Sequence, residues 1–268
     1  MMRVVAVVNQ KGGVGKTTTS VNLAAALAQA GQRVLLVDLD PQGNATMGSG
    51  IDKSKTTRTV YHVLLGLAEA ADVCLRSESG GFDLLPSNRE LAGAEVELVD
   101  LPNREGRLKT ALAAFGERYA FVIVDCPPSL SLLTVNALTA AQQVIIPMQC
   151  EYYALEGLSD LVGTIKRVRA HLNPTLDIAG LLRTMYDPRS TLTQQVSQQL
   201  ESHFGAKVYR TLVPRNVRLA EAPSYGTPAV VWDPASKGAQ AYSAFAAEVL
   251  ERERGGGVAR PQPVKEST

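Results

Sequence analysis

The sequence predicts an α/β fold, a single domain in which a mostly parallel, twisted sheet has helices on both faces. Three observations predict it. Short runs of β-branched and other apolar residues alternate with longer segments of helical spacing, which is the pattern of βαβ units. The runs are almost uninterrupted, as is typical of strands buried on both faces. No internal repeat or linker divides the runs into two groups.

Six apolar runs are predicted to be strands: Val4–Val8, Val34–Val37, Phe82–Leu85, Phe121–Val124, Val144–Ile146 and Ile178–Leu182. Apolar residues at helical spacing between and after them predict amphipathic helices that pack on the sheet. The clearest stripes are Leu23–Ala28, Leu158–Val168, Leu192–Phe204 and Tyr242–Val249. We expect one folded domain over residues 1–254. Residues 255–268 combine glycine, proline and charge without periodicity, which predicts a disordered tail.

Composition excludes several classes of protein. The chain has 27 basic and 26 acidic side chains, and its net charge of +1 lacks the excess typical of a strongly basic nucleic-acid binder. Its three cysteines are scattered and lack metal-ligand spacing, which argues against a disulfide framework or structural zinc and favours the cytoplasm. The first apolar run is too short for a signal peptide, and no run approaches the roughly 20 residues of a membrane span.

A glycine-rich segment links the first predicted strand to the first predicted helix. It reads Asn9-Gln10-Lys11-Gly12-Gly13-Val14-Gly15-Lys16-Thr17-Thr18-Thr19. At such a junction, backbone N–H groups and the positive end of the helix dipole converge on one point, which suits a phosphate. Lys16 is placed to reach the outer phosphates, and the Thr17 hydroxyl to bind Mg²⁺. The segment from Lys11 to Thr18 therefore predicts a site for ATP and Mg²⁺ rather than an ordinary turn.

The loop departs from the usual phosphate-loop pattern at one position. Gln10 stands where G-x-x-x-x-G-K-[ST] has its first glycine, and Lys11 adds a second lysine. Two lysines this close repel each other unless a polyanion lies nearby. The variant resembles the deviant Walker A motif of the ParA/MinD family of P-loop ATPases. This resemblance implies that the chain forms a homodimer when ATP binds, and that Lys11 reaches the phosphates of the partner subunit.

Carboxylates follow two of the predicted strands. Asp38 directly follows the second run and Asp40 lies two residues further on. Asp125 directly follows Phe121–Val124. Because α/β sheets bind ligands at the carboxyl ends of parallel strands, we expect these side chains to lie near the loop. Asp125 matches the Walker B arrangement that holds Mg²⁺, here through water. Taken alone, an aspartate in this position has a less favoured alternative role as the cap of the next helix.

ATP hydrolysis needs a positioned water and neutralised phosphate charge more than a covalent catalyst. The resemblance to ParA-like proteins implies that Asp40 orients or activates the attacking water, so Lys11, Lys16 and Asp40 are the expected catalytic residues. Thr17, Asp40 and Asp125 are the expected metal-site residues, and Asp38 is expected to shape the loop. No Ser/His/Asp set competes with this assignment, because the three histidines, His62, His171 and His203, lie away from the predicted strand ends.

The resemblance extends from Val4 to about Leu250. The segments 38–46, 151–157 and 213–224 are similar to the chromosomal ParA, or Soj, branch of the family. The family binds adenine partly through the late loop, which implies that Pro214 and Asn216 contact the base. The same resemblance places Glu151 at the dimer interface.

The branch binds double-stranded DNA non-specifically, and charge along this chain agrees with that property. Residues 183–237 contain seven basic and four acidic side chains, whereas residues 69–105 contain three basic and nine acidic ones. Arg189 and Arg218 match positions that resemble the family's DNA-contacting arginines, and Arg215 is a third candidate. Arginine pairs well with phosphate. The resemblance also implies a location on the nucleoid and a partner of the ParB type, a centromere-binding protein that stimulates hydrolysis.

Two other functions remain open from the sequence. One is a nucleotide switch that acts on a membrane or another protein instead of DNA. The segment Val258–Val264 contains two prolines and no apolar face, so no stable membrane association is expected. The other is a metabolic ligase or synthetase with a related loop, which would need a second substrate pocket.

Overall fold

The computed structural model describes residues 2–152 and 154–255, so the predicted tail lies outside the described residues from position 256 onward. The strands are β1 Arg3–Val7, β2 Val34–Asp38, β3 Leu75–Ser77, β4 Phe82–Leu85, β5 Phe121–Asp125, β6 Gln143–Gln149, β7 Asp177–Tyr186 and β8 Val208–Pro214. They form one sheet in the order β3-β4-β2-β5-β1-β6-β7-β8. Only the β3–β4 pairing in this sheet is antiparallel. The predicted α/β class and mostly parallel sheet are confirmed.

Helices connect and cover the strands. They are α1 Lys16–Gln29, α2 Asn44–Gly48, α3 Val60–Leu65, α4 Ala70–Val73, α5 Leu91–Glu97, α6 Arg107–Ala113, α7 Leu132–Ala140, α8 Ala154–His171, α9 Thr191–Phe204, α10 Val217–Glu221, α11 Ala229–Trp232 and α12 Lys237–Arg254. Short 3₁₀ turns lie at Leu98–Asp100, Gly205–Lys207 and Ala222–Tyr225. None of the helices within the described ranges is long and apolar enough to cross a membrane.

Successive side chains along each strand point to opposite faces of the sheet, so the buried residues form one core cluster on each face. In β1, Val5 and Val7 belong to the core cluster that includes α1 and α12, whereas Val4 and Ala6 belong to the cluster that includes residues of α3 to α9. Because both faces are covered, the central strands have no polar face, which is why their sequences are nearly continuous apolar runs.

Strand register brings the predicted site residues to one edge of the sheet. Val7 and Asp38 both lie opposite Asp125, on the two sides of β5. The loop from β1 to α1 and the carboxylates of β2 and β5 therefore meet at the carboxyl ends of the three central strands.

The sequence analysis did not predict two strands, β3 and β8, which lie at the two edges of the sheet. β3 spans only three residues, with a central arginine, and β8 contains Arg210 and ends in Pro214. β3 is too short for a run, and Arg210 and Thr211 interrupt the apolar residues of β8, so both strands lack the uninterrupted apolar runs by which the other six were recognised.

Polar side chains occupy the outer side of edge strand β8. The Glu248 carboxylate on α12 accepts hydrogen bonds from the Arg210 and Thr211 N–H groups, both at 2.9 Å, and from Arg252 at 2.8 Å. Arg252 also donates to the Val208 carbonyl at 3.0 Å. Three backbone groups of β8 are thereby bonded to side chains of α12 and not open to an added strand.

Candidate active site

The glycine-rich segment folds as a loop whose backbone requires glycine at two positions. Gly13 has a φ of 73° and Gly15 a φ of 89°, both in the left-handed region that L side chains rarely adopt. Gly15 is also the residue before α1, and no side chain caps the helix there. The first-turn N–H groups of α1 therefore have no side-chain acceptor, which suits an anion.

Lys16, the first residue of α1, lies inward at the loop. Its side chain is almost fully buried, and its ammonium donates to the Lys11 carbonyl at 3.2 Å. Burial lowers the pKa of Lys16, while the neighbouring Asp125, Cys126 and Asp40 raise it in opposition. A buried ammonium whose hydrogen bond is to a main-chain carbonyl has donors left for a phosphate.

Lys11 is placed quite differently from Lys16. Its side chain is about half exposed and forms an ion pair with Glu151 of the same chain, which follows β6. The two residues that the sequence linked to a dimer interface thus lie side by side on the surface.

Asp125 provides the buried carboxylate at the end of β5. Its Oδ1 accepts a hydrogen bond from Ser20 on α1 at 2.8 Å, whereas its Oδ2 is buried without a hydrogen-bond partner in the described part of the chain. Burial, together with the charge of Asp38, raises the pKa of Asp125 to about 8, although Ser20 and Thr17 act to lower it. An orphaned carboxylate oxygen beside the Thr17 hydroxyl fits a Mg²⁺ site, because a cation would remove the cost of its burial.

Asp40 and Asp38 lie at the same edge, and Asp40 is buried with 9% of its surface exposed. Asp38 is fully buried, and its Oδ1 accepts from the Asp40 N–H at 3.1 Å. Its Oδ2 accepts from the Thr46 N–H at 2.8 Å and from the Thr46 hydroxyl at 2.7 Å. Burial raises the pKa of Asp38 to about 6 against these hydrogen bonds. Both oxygens of Asp38 are thus committed to shaping the loop from residue 38 to 46.

The expected adenine contacts lie on the loop after β8. Pro214 ends β8 opposite Tyr186 of β7, and Asn216 caps α10 by accepting from the Arg218 N–H at 3.0 Å. A cavity of about 270 Å³ opens beside Thr17 and Thr18, between α1, α2 and the segment from residue 219 to 229. Neither Pro214 nor Asn216 lines it.

The candidate DNA arginines are exposed, and two of the three are paired. Arg189 binds Asp187 through two hydrogen bonds of 3.0 Å, and the nearby Arg215 adds to the lowering of the Asp187 pKa to about 2. Arg218 pairs with Glu221 at 2.9 Å and lies over the ring of Trp232.

Another basic residue of the late stretch is not available to DNA. Arg183 is buried and bonds to Ser197, Glu201 and the Tyr209 carbonyl. Part of the charge excess over residues 183–237 is therefore structural.

Three residues that position the site were missed by sequence reasoning. Ser20 holds Asp125, the Thr184 hydroxyl donates to the Val14 carbonyl of the loop at 2.8 Å, and the Ser87 hydroxyl donates to the Asp40 carbonyl at 2.8 Å. Ser20 could have been found from the sequence, because it is a polar residue on the buried side of an apolar helix. Thr184 and Ser87 belong to segments distant in sequence, and no local pattern points to them.

Comparison with known proteins shows close relatives over nearly the whole chain. A family model described as an AAA domain matches residues 2–178. The sporulation initiation inhibitor protein Soj of Bacillus subtilis (strain 168) is 54% identical over 249 residues, which cover 93% of this chain and 98% of that protein. The chromosome partitioning protein ParA of Caulobacter vibrioides (strain NA1000 / CB15N) is 51% identical over 255 residues, which cover 94% of this chain and 96% of that protein.

A solved structure agrees with the fold. It is described as cobyrinic acid a,c-diamide synthase from Mycobacterium smegmatis with bound ADP and magnesium. Its TM-score to this chain is 0.85, with 42% identity, and the match covers 97% of this chain and 100% of that one.

Proposed function

Because the chain belongs to the ParA/Soj family of chromosome partitioning ATPases, we propose that it binds Mg-ATP, dimerises on binding it, and holds nucleoid DNA until hydrolysis releases it. A ParB-type protein would stimulate that hydrolysis in the cytoplasm. The observation that best supports ATPase chemistry is the buried, unpartnered Oδ2 of Asp125, at the same sheet edge as the buried Lys16 and the glycine loop.

Each residue of the site has a distinct role in this proposal. Backbone N–H groups from Lys11 to Thr18 bind the phosphates, and Lys16 neutralises their outer charge. Thr17 and Asp125, with Asp40 nearby, hold Mg²⁺, which would neutralise phosphate charge when bound. Asp40 orients the attacking water, and Pro214 and Asn216 contact the adenine.

Dimerisation requires Lys11 to exchange partners. In the single chain its ammonium is paired with Glu151. Since both side chains are about half exposed, the pair is screened by water and its rupture costs little. Lys11 can therefore leave Glu151 for the more highly charged phosphates of the partner subunit's nucleotide.

DNA binding is assigned to Arg189, Arg215 and Arg218, which lie on the loops and helix that follow β7 and β8. Arg189 and Arg215 lie near Asp187, and Arg218 pairs with Glu221, so phosphate has to compete with these carboxylates. Such binding is expected to be weak and sensitive to salt.

The experiment that tests the proposal measures binding to DNA with ATP, with ADP and without nucleotide. We expect DNA binding only with ATP. It should be lost in Lys16→Ala, which lacks the phosphate-binding ammonium, and prolonged in Asp40→Ala, which binds ATP but turns it over slowly. Cosedimentation with anionic vesicles under the same conditions tests the membrane alternative. ATP-dependent binding to vesicles and none to DNA would overturn the assignment.

A second candidate is ATP-dependent amide synthesis, favoured by the name of the Mycobacterium smegmatis structure. If the chain had this function, its ATP hydrolysis would depend on a carboxylic acid and a nitrogen donor. DNA would not affect that hydrolysis. ATP turnover measured with cobyrinic acid and glutamine, against turnover with DNA, separates the two candidates.

A further inference from the structure

The backbone N–H and the backbone carbonyl of Asp40 are both hydrogen-bonded to side chains. The Asp38 carboxylate accepts the Asp40 N–H at 3.1 Å. The Asp40 carbonyl accepts from the Ser87 hydroxyl at 2.8 Å and from the Gly43 N–H of the same loop at 2.9 Å. The Asp40 side chain has a single further bond among the described residues, from the Gln42 N–H to Oδ1 at 2.9 Å. The direction in which this carboxylate points is therefore set largely by how its backbone is anchored.

Ser87 is the anchor that lies outside the loop. It follows β4, the strand that pairs with β2, and it is fully buried. Its N–H donates at 2.9 Å to the Thr46 hydroxyl, which in turn donates to Asp38 at 2.7 Å. Ser87 thus bonds the loop near its beginning, at Asp40, and near its end, at Thr46.

The loop also lies directly against the Ser87 backbone. A Cβ added at Gly43 would be 2.8 Å from the Ser87 carbonyl oxygen, too close for any other residue in this conformation. Gly43 has a φ of 60°, which also favours glycine. The path of the chain from residue 40 to 46 is therefore fitted to Ser87 by contact as well as by hydrogen bonds.

We propose that Ser87 is a positioning residue for ATP hydrolysis, which holds the Asp40 carboxylate toward the attacking water. The inference rests on the proposed role of Asp40. Ser87 hydrogen-bonds to Asp40, Thr46 and the adjacent Asn88 and to no residue of the glycine loop, so it acts on the hydrolytic step and not on nucleotide binding. A small displacement of a catalytic group is enough to slow its reaction by an order of magnitude or more.

The test compares Ser87→Ala with Ser77→Ala. Both serines are fully buried, and both donate to a main-chain carbonyl, Ser87 to Asp40 at 2.8 Å and Ser77 to Ser49 at 2.7 Å. In Ser87→Ala we expect kcat to fall roughly tenfold while KM for ATP stays within about twofold. Ser77→Ala loses an equivalent hydrogen bond away from Asp40 and should keep kcat within about twofold.

A double mutant shows whether Ser87 acts through Asp40. Adding Ser87→Ala to Asp40→Ala should not lower kcat further, because the group that Ser87 positions is already gone. If Ser87→Ala does not fold, Thr46→Val and Thr46→Ser replace it. Thr46→Val removes the hydroxyl between Ser87 and Asp38 and should lower kcat. Thr46→Ser keeps this hydroxyl and should keep kcat near the wild-type value.

Specific outcomes would overturn the inference. Wild-type kcat in Ser87→Ala, or an equal loss in Ser77→Ala, would show that Ser87 has no positioning role while leaving the proposed function intact. Normal hydrolysis by Asp40→Ala would instead remove the proposed role of Asp40, and this inference with it.

Discussion

Two buried carboxylates in this molecule have opposite surroundings. Asp125 at the end of β5 has one bonded oxygen and one without a partner among the described residues, and burial raises its pKa. Glu248 on α12 is buried to a similar degree, yet both of its oxygens accept hydrogen bonds from the backbone of β8, and one also accepts from Arg252. Burial also acts to raise the pKa of Glu248, but these hydrogen bonds outweigh it and the pKa is lowered.

The difference separates a binding site from a structural anchor. A buried charge whose hydrogen bonds are complete stabilises the fold, and removing it leaves its partners without bonds. A buried charge with an unsatisfied oxygen costs the fold free energy, and a cation can recover that cost. We therefore expect substitutions at the two carboxylates to have effects of opposite sign on stability.

The largest effect is expected at Glu248. Glu248→Ala leaves the N–H groups of Arg210 and Thr211 without their acceptor and removes one of the acceptors of Arg252, so the free energy of unfolding should fall by about 3 kcal/mol. Urea denaturation measures it. Glu251→Ala on the same helix is the control, because its pair with Arg210 is exposed and should contribute less than about 1 kcal/mol. Equal losses in the two variants would contradict the anchor role.

The opposite sign is expected at Asp125. Asp125→Asn removes a buried carboxyl whose ionisation is opposed by burial and keeps an oxygen for Ser20, so without nucleotide the unfolding free energy should stay the same or rise. Mg²⁺-dependent ATP hydrolysis by this variant should fall at least about tenfold. A loss of stability comparable with that of Glu248→Ala would make Asp125 structural instead.

The pH dependence of stability offers a third comparison. The pKa of Asp125 is about 8 in the folded chain, above the usual value of 3.8, so the folded state keeps a proton that the unfolded state releases. Its contribution is full below pH 4 and is lost as the pH rises toward 8. Between pH 6 and 7, wild-type protein without Mg²⁺ should lose roughly 1 kcal/mol relative to Asp125→Asn. Parallel pH profiles of unfolding for the two proteins would contradict the raised pKa.

The smallest effect is expected at the surface arginines. Arg218→Ala should weaken DNA binding across sequences and lower the slope of log affinity against log salt by about one, with ATP binding unchanged. Arg210→Ala is the matched control, because this arginine is likewise exposed and pairs with a glutamate, Glu251 on α12, but is not one of the proposed DNA arginines. A slope that falls equally in both variants, or in neither, would remove Arg218 from the DNA surface.

Sequence patterns predicted the parts of the fold that are locally encoded. Uninterrupted apolar runs identified β1, β2 and β4 to β7, and helical spacing identified α1, α8, α9 and α12. β3 was missed because it has only three residues, and β8 because Arg210 and Thr211 interrupt its apolar residues. The short helices α2 to α6 hold too few turns for a period to emerge.

The residues of the candidate site likewise include some that local sequence patterns predicted and others that they did not. Lys16, Thr17, Asp40 and Asp125 were found because a loop and two strand ends carry their own patterns, and the structure brings all of them to one edge. Ser87 and Thr184 were not found, since each acts on a loop that is distant along the chain.

The sequence by itself therefore determined the sheet, the glycine loop and the aspartates at the strand ends, because strand period, positive φ and strand termination are local properties. Tertiary structure alone decided which buried carboxylate is satisfied and which is not. Asp125 and Glu248 carry the same functional group. Only the packing of β8 against α12 gives Glu248 donors for both oxygens, and only the packing of α1 against β5 leaves Asp125 with an oxygen that has no partner among the described residues.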